Sequence, residues 1–112
     1  MIEGFVPIRA ISQNIAFQGR RFNTPTKRKY EEAVLLSLGK PTMPPLTGEL
    51  ELELIFYLKS IKRSDLDNFI KISQDLLQKR GFFKNDNQII SLIARKEQAD
   101  EEGWRFRISE LS

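Results

Sequence analysis

The chain has 112 residues, 40% of them hydrophobic and 29% charged, which predicts one ordinary globular domain spanning residues 1–112 and excludes both disorder and a fibrous repeat. It contains no histidine and no cysteine, so thiol nucleophiles, histidine general bases, Ser-His-Asp triads, disulfides, haem and Cys/His zinc sites are all ruled out. Eighteen Lys and Arg against fifteen Asp and Glu leave a net charge of +3. Any enzymatic chemistry must therefore rest on carboxylates, lysine, hydroxyls or a hard cation held by oxygen ligands.

The basic excess is unevenly placed. Arg20, Arg21, Lys27, Arg28 and Lys29 fall close together, whereas Asp100, Glu101 and Glu102 cluster near the end. The basic stretch suits a polyanion, or equally the solvated face of a helix. The start, Met1-Ile2-Glu3-Gly4, lacks the pattern of a secretory signal, and the longest apolar run, Leu54 to Leu58, is too short to cross a bilayer. A soluble, cytoplasmic protein is the expectation.

In chain order, Ile2 to about Ile11 is rich in Ile, Val and Phe but interrupted by Gly4 and Pro7, which predicts an edge strand that begins or bends near the proline. Ser12 to Asn23 reads as a loop. Thr24-Pro25 then offers an N-cap and a first-turn proline, and Tyr30, Val34 and Leu38, with Ala33 and Leu36 nearby, predict a helix ending at Gly39. Pro41, Pro44, Pro45 and Gly48 mark a connecting turn. From Glu49 to Lys59, glutamates alternate with leucines before the run turns wholly apolar, the period-two pattern of a strand. Leu66, Phe69, Ile70, Ser73, Leu76 and Leu77 follow helical spacing over about Asp65 to Lys79, with Gly81 as the stop. Two last strands, about Gln88 to Glu97 and Trp104 to Ser109, flank the acidic turn Asp100 to Gly103 and are expected to pair as a hairpin. The order β-α-β-α-β-β predicts an α+β two-layer sandwich, with two helices on one face of a mixed sheet of about four strands.

Chemistry concentrates at the start of the second helix. Asp65-Leu66-Asp67-Asn68 follows a basic approach, Lys59, Lys62 and Arg63. Acids at a helix start commonly cap free N–H groups and complement the helix dipole. Two acids and an amide exceed one cap. Fully helical, Asp65 and Asp67 would lie about 200° apart on the wheel, so their convergence requires Asp65 at the helix boundary. Lys71 projects from the same face as Asp67 one turn later, where an i,i+4 ion pair is the plain explanation. Asp86, in the polar turn Lys84-Asn85-Asp86-Asn87-Gln88, can be returned beside the other acids by a helix followed by an adjacent strand. Three carboxylates held together repel one another unless a cation neutralises them, and hard oxygen ligands suit Mg²⁺ or Mn²⁺. Metal-dependent phosphodiester hydrolysis is one chemistry open to such a domain.

These residues have a familiar arrangement. Asp65-Leu66-Asp67-Asn68, Lys71, Gly81-Phe82-Phe83 and Asp86-x-Gln88 resemble, in order, type and spacing, the signature of the RusA family of Holliday junction resolvases. The resemblance is densest over roughly Phe56 to Leu92 and looser in the N-terminal half, through Ser12-x-Asn14, the basic loop and the helix containing Tyr30. It implies a small homodimeric Mg²⁺-dependent endonuclease, of a kind often found in phages, that cleaves four-way DNA junctions by paired symmetric nicks in recombination and repair. It places the metal-binding acids on Asp65, Asp67 and Asp86 and the essential lysine on Lys71. The DNA-facing positions would be Asn14, Arg20, Arg21, Lys27, Arg28, Lys29, Lys62, Arg63, Asn68 and Lys84.

Two departures stand out. Many relatives carry two adjacent acids where this chain has Asn85-Asp86, and the usual proline pair before Ser-x-Asn is replaced by Ala10-Ile11. Phe17, Phe22, Phe82 and Phe83 lie within basic regions and are open to two uses, base stacking or packing in a core or dimer interface. Two other functional readings also stand at this point: a nuclease for forks or flaps, and a non-catalytic DNA-binding protein whose acids merely cap a helix.

Overall fold

A computed structural model describes residues 1–11, 25–62 and 65–111. The expected loop, with Ser12, Asn14, Phe17, Arg20, Arg21 and Phe22, lies outside the described residues, as do Thr24 and Arg63. The element order is β1 (Ile2–Val6), α1 (Pro25–Leu38), β2 (Leu50–Leu58), α2 (Asp67–Arg80), a 3₁₀ turn (Asp86–Gln88), β3 (Ile89–Gln98) and β4 (Gly103–Glu110). This is the expected α+β arrangement of two helices and a four-stranded mixed sheet. Among the described residues no helix is long and apolar enough to cross a membrane.

The sheet order is β1-β4-β2-β3, with β1 antiparallel to β4, β4 antiparallel to β2, and β2 parallel to β3. The expected hairpin between the last two strands does not form, because β2 lies between them. The physical reason is visible in β2 itself: Leu54, Ile55, Phe56 and Leu58 are all buried, so both faces of its C-terminal half are covered. Strands apolar on both faces belong in the middle of a sheet. The acidic segment after β3 is accordingly a strap across the end of β2. Ala99 N–H donates to the Leu58 carbonyl at 2.9 Å. The Glu102 carboxylate accepts from Lys59 N–H and from Arg9 Nε, each at 3.1 Å. The Lys59 N–H first, and then Arg9, hold the Glu102 carboxyl below its ordinary pKa.

β1 is an edge strand, as expected, but ends at Val6, since Pro7 has no N–H to offer the ladder. Ala10 and Ile11 enter the core without forming strand. One sheet face, with Val6, Leu52, Leu54, Phe56, Trp104, Phe106 and Ile108, carries both helices. Phe69 of α2 meets Phe56 at 5.3 Å between ring centroids, and Trp104 Nε1 donates to the Tyr30 hydroxyl of α1 at 3.1 Å. Gly4 makes room for this packing, because a Cβ there would stand 2.8 Å from the Phe106 ring. In α1, Tyr30 and Val34 are buried as the spacing predicts, but Leu36 points outward at 84% exposure.

A buried acid that the hydrophobic pattern does not reveal joins the helices. Glu31 of α1 pairs with Lys27 at 3.2 Å and with Lys79 of α2 at 3.6 Å. Arg80 Nη1 adds a bond to the Leu35 carbonyl at 3.1 Å. The last turn of α2 is thereby tied to α1.

Candidate functional site

α2 is held at both ends. At its start Asp65 stands just outside the helix, at the boundary position that convergence with Asp67 would need, and its backbone carbonyl accepts from Asn68 N–H at 3.1 Å. The N-cap position falls to Leu66, which has no polar side chain to cap with, while Asp67 stands in the first turn, where its charge complements the helix dipole. Asp65 and Asp67 are exposed and Asn68 is half-buried. At its end Gly81 adopts φ +98°, with Gly81 N–H on the Gln78 carbonyl and Phe82 N–H on the Leu77 carbonyl, a Schellman closure that reverses the chain. Phe82 and Phe83 then bury in the core, which settles their use as packing residues. Leu46 N–H donates to the Phe82 carbonyl at 2.9 Å, fastening this reversal to the segment before β2.

The following turn presents Asp86. Gln88 organises it: its Oε1 accepts from Lys84 N–H at 2.8 Å and Asn85 N–H at 2.9 Å. Its Nε2 donates to the carbonyls of Leu46 at 2.9 Å and Gly48 at 3.0 Å. Asn85 caps the 3₁₀ turn by accepting from Asn87 N–H at 3.0 Å. The amide is thus employed in shaping the turn.

Lys71 is the pivot of the site. Its ammonium lies 3.0 Å from Asp86 Oδ2 and 3.1 Å from Asp75 Oδ1. The Asp86 hydrogen bond first, and the Asp75 hydrogen bond next, raise the lysine pKa above its ordinary value. The ion pair within α2 therefore runs forward to Asp75 and not back to Asp67, the partner expected from spacing. Asp75 is a site neighbour the sequence reading missed; the signal was its position eight residues after Asp67 and four after Lys71, on one helix stripe.

Asp86 Oδ2 takes the lysine, but its Oδ1 is enclosed and accepts no hydrogen bond. Among the described residues no group of three acids stands close enough together to hold one metal ion, so the convergence expected of Asp65, Asp67 and Asp86 is not formed. The cation set against Asp86 is Lys71, and uncompensated carboxylates keep apart. The donor set nonetheless fits a hard divalent cation: exposed carboxylates just before and on the first turn of α2, and an enclosed carboxylate oxygen on Asp86 that no hydrogen-bond donor satisfies.

Beside Asp86 opens a groove of about 410 Å³ lined by Asp75, Gln78, Lys79, Lys84 and Asp86. Lys84 and Lys62 are exposed, as are Arg28 and Lys29 on α1. Lys27 differs from these: its side chain is only 13% exposed and is engaged with Glu31, so its charge serves the α1 interior.

Comparison with known proteins bears on most of the chain. No curated protein matches it. The family model described as "Endodeoxyribonuclease RusA" matches residues 9–109. That match spans all three segments that build the site, the α2 start, the Gly81 reversal and the Asp86 turn, so this chain belongs to the RusA family of endodeoxyribonucleases, the Holliday junction resolvases.

Proposed function

We propose that this endonuclease requires Mg²⁺, with Mn²⁺ able to substitute, and that it resolves four-way junctions as a homodimer by paired symmetric nicks in DNA recombination and repair. The observation that carries the metal assignment is the enclosed, unpartnered Asp86 Oδ1, fixed by the Gln88 network beside Lys71. Asp65, Asp67 and Asp86, which stand apart without a cation, would hold it once its charge offsets their mutual repulsion. When bound, it would supply an activated water as nucleophile and a counter-charge to the phosphodiester in the transition state. The Lys71 ammonium stands ready to neutralise a phosphate oxygen, and its exposure leaves it reachable by DNA. Arg28, Lys29, Lys62 and Lys84 bind backbone phosphates, with Asn68 beside the acids, and the sequence alone adds Asn14, Arg20, Arg21 and Arg63 to the DNA-binding set.

A junction has two-fold symmetry and needs two cuts, while one chain carries one set of acids. Two protomers related by a two-fold axis meet that need. The test is incubation with a labelled synthetic four-way junction, with Mg²⁺ or EDTA, beside linear duplex, fork and flap controls. Paired nicks on the junction that disappear in EDTA are expected. Preferential cutting of forks or flaps would reassign the substrate, and binding without cutting in Mg²⁺ would leave a non-catalytic DNA-binding protein. Sedimentation should show a dimer at micromolar concentration.

A further inference from the structure

Lys71 sits between two carboxylates of different standing. Asp86 belongs to the proposed metal ligands, whereas Asp75 lies one turn beyond Lys71 on α2. The ammonium is shared almost equally, 3.0 Å from Asp86 Oδ2 and 3.1 Å from Asp75 Oδ1. A divalent cation arriving at Asp86 would meet a positive charge already on that carboxylate. The two cations repel, and a lysine with a flexible four-carbon stem yields more readily than a metal ion held by several oxygens.

We propose that Lys71 and the divalent cation compete for Asp86, and that Asp75 is a positioning residue to which the displaced ammonium withdraws without leaving the site. This rests on the metal-dependent reading above. Asp75 touches neither metal nor DNA in this arrangement. It keeps the ammonium within reach of a phosphate once Asp86 is taken, so metal loading and lysine release become one event. Both partners are surface side chains, Lys71 55% and Asp75 48% exposed, so substitutions there leave the core untouched.

The competition is read by binding of Mn²⁺ alone to the full chain, followed by electron paramagnetic resonance titration, with no DNA present. Lys71→Met removes the competitor and should tighten Mn²⁺ binding. Asp75→Asn leaves Lys71 on Asp86 alone and should weaken it, about tenfold, as outer-shell substitutions at metal sites commonly do. The double variant decides the route: in the Lys71→Met background, Asp75→Asn should lose its effect, because Asp75 acts through the lysine. An Asp75 effect that persists undiminished there, or Mn²⁺ affinity unchanged by Lys71→Met, would overturn the competition. Failure of the metal assignment shows differently, as no Mn²⁺ binding by the wild-type chain, or binding that Asp86→Asn does not weaken.

Discussion

The Gln88 side-chain amide donates to the Leu46 carbonyl at 2.9 Å across forty-two residues, joining the turn that bears Asp86 to the segment leading into β2. With its bonds to Gly48, Lys84 and Asn85, one side chain makes four contacts that no other residue of this turn duplicates in kind. Gln88→Ala should therefore cost about 1–3 kcal/mol of stability, because at least one partly buried carbonyl is left unpaired. It should also lower cleavage more than junction affinity, since Asp86 loses its support. Urea unfolding beside a single-turnover cleavage assay measures both. Unchanged stability would show that water replaces the amide without loss.

Asp65→Asn, Asp67→Asn and Asp86→Asn should each abolish cleavage while folding and junction binding in EDTA persist. The first two are exposed, and the Asp86 ion pair with Lys71 is a surface pair, a class worth only ~0–1 kcal/mol. Removing negative charge near DNA does not weaken phosphate binding. Thermal melting, gel-shift and cleavage measurements on the three variants check this, and loss of binding by all three would assign the acids to DNA recognition.

Arg28→Ala with Lys29→Ala should weaken binding to every DNA shape and reduce the slope of log affinity against log salt by roughly 2, since each phosphate contact to duplex DNA contributes ~0.9. Lys27→Ala should instead act on stability, because it leaves the buried Glu31 with one partner fewer. Fluorescence anisotropy across a salt series separates the two. An unchanged slope in the double variant would show that these two residues face only solvent.

Burial pushes the Tyr30 phenol up to about 12 from an ordinary 10.0, against the lowering influence of hydrogen bonds from the Trp104 side chain and at the Ile11 backbone. In the unfolded chain this group loses its proton near pH 10 while the folded chain keeps it. Stability from this source is complete below pH 10 and falls between pH 10 and 12, by ~1.4 kcal/mol per pH unit at most. Tyr30→Phe should lose ~1–2 kcal/mol at pH 8, where Trp104 Nε1–H is left unpaired, yet show a shallower decline through this window. Denaturant unfolding at a series of pH values tests it; parallel declines in the two proteins would assign the loss to lysines.

Sequence periodicity alone determined the elements, because the causes are local. Alternating Glu and Leu from Glu49 make a strand under any tertiary arrangement that buries one face. The Leu66, Phe69, Ser73, Leu76 stripe makes a helix that Gly81 ends. The acids and Lys71 were legible too, as residue types at spacings that place them on one turn and its sequel. Only the tertiary structure decided what depends on competition between distant partners. β4 could pair with β3 or with β2, and burial of both faces of Leu54 to Leu58 settled it in favour of β2, turning an expected hairpin turn into a strap held by Glu102. Lys71 could pair with Asp67, Asp75 or Asp86, and the Gly81 reversal with the Gln88 bonds brought Asp86 within 3.0 Å. Such choices turn on where the chain returns, and spacing along the sequence carries no record of that.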